Sequence, residues 1–187
     1  MYKRQYYDTE KGFESLINSC YTPLRFWGGK SAAMAFSETG TDILAPGGGC
    51  DYPAIVSYQN DFDGTNPISK EYYDRFYKAI NFCNTAIYHV KNVPFSDKTL
   101  TSKREAEVRF LRAYYYWILV ETFGDTYYTD QPSESIVMAP RKTSVAEIYT
   151  HIFEDLDFCM DSRLSVAQAD GGRVTMWAAK ALSLIHI

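Results

Sequence analysis

A chain of 187 residues is long enough to bury one ordinary hydrophobic core, or to form part of a larger molecule. Its net charge of -4, with the basic residues scattered, excludes the electrostatic footprint of a nucleic-acid binder. Aromatic residues reach 16%, including 16 Tyr, which fits a carbohydrate- or protein-binding surface or a Tyr-rich helical core. Cys20, Cys50, Cys83 and Cys159 are far apart with no C-x-x-C pair, and His89, His151 and His186 are equally dispersed. No metal site, cofactor or disulfide framework is expected from such spacing, and the histidines read as surface or satisfied side chains. The first 13 residues contain no apolar signal region, and no stretch is long and apolar enough to span a bilayer.

Thr9 is placed to cap a helix that starts at Glu10 and carries Phe13, Leu16, Ile17, Cys20 and Leu24 along one side. Pro23 should kink it or restart it near its end. Residues 28–66 then form a long Gly-rich stretch, expected to be an irregular loop with a functional or mobile role. Its triple glycine, Gly47-Gly48-Gly49, lacks the strand-to-helix context of a phosphate loop. Its Asp61/Asp63 pair lacks the spacing of a calcium loop, so both read as plain turns. A second helix is expected from Ser69 or Lys70, with an inner stripe of Tyr73, Phe76, Tyr77, Ile80, Cys83, Asn84, Ile87 and Val90. The amides of Asn81 and Asn84 are expected to bond neighbouring helices or loop backbone. Pro94 ends the region.

The central helix is expected to begin near Thr101 or Ser102, and residues 105–125 organise the rest of the chain. Ala106, Phe110, Ala113, Trp117 and Val120 recur at helical spacing, widened by Leu111, Tyr114 and Ile118. Glu105, Arg109, Arg112 and Glu121 are its polar positions, and Glu105 precedes Arg109 by one turn in the favourable order. Phe123-Gly124-Asp125 closes it, and a polar connection runs over residues 126–142. Ser144-Val145-Ala146-Glu147 is a capping box for the next helix. There Val145, Ile148, Tyr149, Ile152, Leu156 and Cys159 share one face, and Glu147, Glu154, Asp155 and Asp157 are assigned to the wet face. Gly171-Gly172 precedes a last helix from Thr175 with Trp177, Ala178, Ala181 and Leu182. Helix starts within each pair lie about 30 residues apart, the spacing of tetratricopeptide-like hairpins. Ala106, Ala113, Ala178 and Ala181 are the small residues expected to let helices approach. The fold class is all-α.

Several stretches in order carry a resemblance. They are Tyr77-x-x-Ile80-Asn81-x-x-Asn84, then Glu105-Ala106-Glu107-x-Arg109-Phe110-Leu111-Arg112-Ala113-Tyr114-Tyr115-Tyr116, then Phe123-Gly124-Asp125. Downstream come Pro140-Arg141-x-Thr143-Ser144-Val145-x-Glu147-Ile148-Tyr149 and Ile152-x-x-Asp155-Leu156. Last are Gly172-Arg173-Val174-Thr175 and Ala178-Ala179-Lys180-Ala181-Leu182. Together they resemble the SusD/RagB family of nutrient-binding outer-membrane lipoproteins. The resemblance implies a SusD-like scaffold of helical hairpins with a long irregular loop, at the surface of a Gram-negative cell. It implies capture of an oligosaccharide, or sometimes a peptide, for a SusC-like TonB-dependent outer-membrane transporter, with binding rather than catalysis. The family's signal and lipidated cysteine are not in this sequence, so outer-membrane localisation rests on an anchor that the chain lacks. Residues 1–187 are expected to be a single N-terminal helical domain, with the C-terminal part of the family fold missing and a truncated frame after Leu182. Apolar helix faces meant for that part should stand exposed. Gly124-Asp125-Thr126 departs from the family's usual Gly-Asp-Val-Pro.

No Ser/His/Asp or Cys/His grouping appears, so no catalytic residue is assigned. The Asp155/Asp157 pair does not make a glycosidase acid and base, because residues two apart on a helix point in different directions. Sugars are held by aromatic faces, with carboxylates and amides taking the hydroxyls. Trp27, Asp42, Asp51, Tyr52 and Tyr58 are therefore the candidate ligand-binding residues. Trp117, Tyr114 and Trp177 read as core, and Arg109, Arg112, Arg141 and Arg173 as ion-pair residues. The alternative function is a helical-repeat adaptor that binds a protein or peptide in its groove.

Overall fold

The computed structural model describes residues 6–29, 31–39, 41, 55, 58, 63, 65–135, 137–161, 164 and 171–185. The helices in chain order are α1 (Glu10–Tyr21), α2 (Leu24–Gly29), α3 (Ser31–Ser37), α4 (Pro67–His89), α5 (Lys98–Phe123), α6 (Val145–Met160) and α7 (Met176–Ile185). A single 3-10 turn, Val90–Asn92, follows α4. The one β contact among the described residues is an isolated antiparallel bridge between Thr126 and Thr143. The fold is all-α and tetratricopeptide-like.

Helix starts are set by side chains that accept the orphan amides of the first turn. Thr9 Oγ1 accepts from Gly12 N at 3.1 Å, and Ser144 Oγ from Glu147 N at 3.3 Å. Two helices begin earlier than their apolar patterns indicate. α4 starts at Pro67 rather than Ser69, because Asn66 Oδ1 accepts from Ile68 N at 3.0 Å and proline suits the first helical position. α5 starts at Lys98 rather than Thr101, because Asp97 Oδ1 accepts from Thr99 N at 2.8 Å. The bonds from Thr99 backbone and side chain hold the Asp97 carboxyl below the usual carboxylate range. That capping contribution is present at neutral pH and fades as the pH falls through the lowered value. Part of the expected loop is also helical. Ser31–Ser37 forms α3, where three alanines, the best helix formers, outweigh the flanking glycines.

The chain divides into two compact units, one of Met1–Cys20 with Ala79–Ile187 and the other of Tyr21–Lys78. In the first, α5 packs on α6 and α6 on α7. α5 is buried nearly all round rather than along one stripe. Tyr115 donates to Cys20 O at 2.6 Å. Phe110, Tyr114 and Trp117, expected as core, are only half-buried, with Tyr114 against Phe110 and Trp117 at ring distances of 6.3 and 5.4 Å. Ala106 and Ala113 are buried as expected, and Cys159 donates its thiol to Ala106 O at 3.0 Å. Ala178 is half-buried and Ala181 exposed, so neither is a close-approach residue. Of the stripe expected on α4, Phe76, Ile80, Cys83, Asn84 and Val90 are buried, whereas Tyr73, Tyr77 and Ile87 are half-buried and Tyr72, Ala79 and Ala86 are buried in addition.

Ahead of α1, the turn at Tyr6–Thr9 folds back over the helix, with Thr9 N donating to Tyr6 O at 3.2 Å. Asp8 Oδ1 lies 2.7 Å from Nδ1 of the buried His89. A Cβ on Gly12 would sit 1.8 Å from Tyr6 O, so only glycine permits this return. Gly12→Ala is expected to displace the turn and destabilise the fold by about 1–3 kcal/mol, read from the urea midpoint. An unchanged midpoint with unchanged amide exchange at residues 6–9 would contradict this.

Candidate functional site

The first unit is held by two polar clusters. Asp155 on α6 accepts from Arg112 Nε at 2.7 Å, Arg112 Nη2 at 2.8 Å and Arg109 Nη1 at 3.0 Å. Arg109 also bonds Glu105 one turn earlier, at 2.8 Å. Burial alone would lower the Arg112 guanidinium, but the Asp155 carboxylate more than reverses that and raises it. Asp155, assigned to the wet face, is in fact buried, while Asp157 is exposed. A charge that carries its own counter-ions can occupy a core position that hydropathy alone would deny it.

From that cluster the bonding runs outward to the polar connection. Arg112 Nη1 donates to Asn84 Oδ1 at 3.0 Å, and Asn84 Nδ2 donates to Thr129 O and Gln131 O. Tyr116 donates to Thr129 O and accepts from Thr129 N, and Asn81 Oδ1 accepts from Ser133 N. Asn81 and Asn84 thus bond loop backbone and a neighbouring helix, as their positions lead one to expect. Asp125 Oδ1 accepts from Val145 N at 3.0 Å, closing the base of the connection beside the Thr126–Thr143 bridge. The stem is fixed, and Val137 and Met138 stand exposed beyond it. Tyr128 stacks on His151 at 4.1 Å and 10°, and burial pushes its phenol up to about 12.

The second cluster joins α1, α5 and the segment before α7. Glu107 is buried and bonds Arg104 at 2.9 Å and Arg173 at 2.8 Å. Glu14 bonds Arg104 at 2.6 Å and Arg173 at 3.2 Å. Arg109, Arg112 and Arg173 are therefore ion-pair residues, and Arg141 is exposed. Sequence reading missed Glu107 and Asp155 as partners. The signal was a charge standing among apolar helical positions, with arginines one helix away.

Trp27 and Tyr58 lie in the second unit. Trp27, on α2, is half-buried and meets Tyr72 and Phe76 edge-on at 5.7 and 6.1 Å. Phe26 and Phe36 complete this aromatic cluster around Tyr72, with the Arg75 guanidinium 4.5 Å above Phe26. Part of the Trp27 ring is spent on packing. Tyr58 is 69% exposed and holds a left-handed backbone, φ 51°, which is uncommon for a bulky residue. Asp42, Asp51 and Tyr52 lie outside the described residues, as do the triple glycine and Asp61. Asp63 sits in a turn, accepting from Thr65 N at 2.8 Å. Trp177, expected as core, is exposed on α7. Among the described residues no group of His, Cys, Asp or Glu is placed to hold a metal ion. No described helix is long and apolar enough to cross a membrane.

In the second unit the Tyr58 ring is exposed, and the Trp27 ring on α2 is half-buried. Residues 1–183 match the sequence model of a SusD-like family described as starch-binding and associating with the outer membrane. A SusD-like protein of Bacteroides ovatus is 23% identical over 95% of this chain. A SusD superfamily structure from Parabacteroides distasonis is 25% identical over 92% of the chain, with a TM-score of 0.78. Surface glycan-binding protein A of Bacteroides fluxus is 23% identical over 94%, with a TM-score of 0.75. The chain spans 32%, 38% and 39% of those three proteins respectively. With nearly its whole length matched, the chain belongs to that SusD-like family.

Proposed function

We propose that this chain is part of a cell-surface protein that captures an oligosaccharide and passes it to a SusC-like TonB-dependent outer-membrane transporter. In this reading it is a binding protein without catalytic activity, held at the outer membrane by a lipid anchor. The observation that carries the reading is the match of residues 1–183 to a starch-binding family. The Bacteroides fluxus relative, named for glycan binding, supports the ligand class. Within the second unit, Tyr58 offers an exposed ring and Trp27 a partly exposed one, and Asp42, Asp51 and Tyr52 supply further aromatic and polar groups in the same stretch of sequence.

Calorimetric titration with a panel of α- and β-glucan oligosaccharides tests it. Binding of at least one glucan is expected, and Tyr58→Ala should weaken it about tenfold, equivalent to roughly 1.4 kcal/mol. Because Tyr58 is exposed, its loss should leave the helical circular dichroism unchanged. Trp27→Ala should also weaken binding, with some loss of stability from its contacts to Tyr72 and Phe76. Unchanged affinity in both variants would remove the site assignment. Failure of every glucan, alongside binding of peptides, would replace the ligand class.

A further inference from the structure

Cys20 lies in the last turn of α1 and Cys83 in α4, and both side chains are fully buried. Their spacing in the sequence gives no hint of a pair, but packing against α5 supplies one. Arg112 and Tyr115, three residues apart, share one face of α5. Tyr115 donates to Cys20 O at 2.6 Å, and Arg112 donates at 3.0 Å to Asn84, the residue after Cys83. The two thiols accordingly meet side chain to side chain in the core. Cys20 directs its own proton to Leu16 O at 3.4 Å, which leaves its sulfur to accept from Cys83. Burial first, and then the contact with Cys20, push the Cys83 thiol well above its ordinary range, so the folded chain holds almost no thiolate there.

The pair also has a distinctive place in the chain. The second unit is Tyr21–Lys78, and Cys20 and Cys83 stand just before and just after it, both within the first unit. We propose that Cys20 and Cys83 form a disulfide that ties α1 to α4 and closes residues 21–82 into one covalent loop. The proposal is independent of the glycan reading, since it concerns the covalent frame and no ligand. The family associates with the outer membrane, and proteins of the bacterial envelope fold where disulfides persist. The oxidant is a small-molecule or protein disulfide. One cysteine thiolate attacks it, breaks its S–S bond and expels one thiolate; the second cysteine attacks the mixed disulfide and expels the other. The Cys20–Cys83 bond forms, and the two cysteine protons end on the two thiols released. Both attacks need an accessible thiolate, so the bond forms while the chain folds, and burial then shields it from reductants.

The test refolds the reduced, unfolded chain with oxidised glutathione, then denatures it, blocks free thiols with iodoacetamide and maps the peptides by mass. A Cys20–Cys83 cross-link is expected, with Cys50 and Cys159 alkylated. In the folded chain the link should survive dithiothreitol at least about tenfold longer than in urea. Reduction should lower the urea midpoint by about 1–2 M. Cys20→Ala/Cys83→Ala should share the midpoint of the reduced chain and lose its response to reductant. Alkylation of all four cysteines, a glutathione adduct on Cys20 or Cys83, or a link through Cys50 overturns the proposal. A midpoint indifferent to reductant overturns it as well. The mapping is made on the unsubstituted chain, so it decides the matter even where the double variant fails to fold. A null glucan titration leaves the cross-link result standing.

Discussion

Asp155→Ala is expected to destabilise the first unit by about 3–5 kcal/mol, a large fraction of the stability of an ordinary domain. The reason lies in what remains. Arg112 is buried, and without Asp155 it keeps one charge and a single neutral partner, Asn84 Oδ1. Arg109 suffers less, since Glu105 still accepts from it and its side chain is a quarter exposed. Removing one member of a buried pair costs far more than the pair contributes, because the survivor has lost its water and its counter-ion together. Replacing both members separates the two effects. Arg112→Met with Asp155→Leu should recover most of the loss, falling short by about 1–3 kcal/mol because Asn84 Oδ1 loses its donor. Urea unfolding followed by circular dichroism distinguishes these outcomes. A wild-type midpoint for Asp155→Ala would show that the cluster contributes nothing to stability.

The cluster also explains what could be read in the sequence. Helix identity followed from apolar spacing: Phe13, Leu16, Ile17 and Cys20 on α1, and Ile148, Ile152, Leu156 and Cys159 on α6, are buried as their periodicity requires. Periodicity does not locate ends, which are decided by one side-chain oxygen each, at Asn66 and Asp97. It also misassigns charge. Asp155 looks wet beside Glu154 and Asp157, and only the approach of Arg109 and Arg112 from α5 makes its burial affordable. The reverse error falls on Trp177. Its hydropathy says core, but on α7 it occupies the side away from the buried Ala179 and Leu182.

The candidate ligand residues were legible only as a type. Aromatics in a loop-rich stretch suggest a sugar platform, yet Trp27 divides its ring between solvent and an aromatic cluster that no spacing rule foretold. Tyr72 is the centre of that cluster, meeting Phe26, Trp27, Phe36 and Phe76, although the apolar pattern of α4 pointed to Tyr73 instead. The asparagines were more informative. An amide near an apolar stripe must find partners, and Asn84 finds three, two of them carbonyls that set the path of the loop after α5.

Glu107→Ala should cost about 2–4 kcal/mol, somewhat less than Asp155→Ala. Glu107 is as buried as Asp155, but both of its arginines, Arg104 and Arg173, keep Glu14 as a second carboxylate, whereas Arg112 beside Asp155 keeps only the neutral Asn84. Glu14 can therefore share the charge that Glu107 abandons. The two clusters differ in reach as well. Asp155 ties neighbouring helices, whereas Glu107 gathers α1, α5 and Arg173, the residue three positions ahead of α7. Its loss should release the entry to α7, so amide exchange over residues 173–179 should accelerate more than exchange in α6. Glu107→Gln keeps an acceptor and the side-chain volume, and should land between the two. If Gln matches Ala, the charge is what counts; if it matches wild type, the hydrogen bonds are. Uniform acceleration across α5, α6 and α7 would mean that Glu107 supports the whole unit rather than the placement of its last helix.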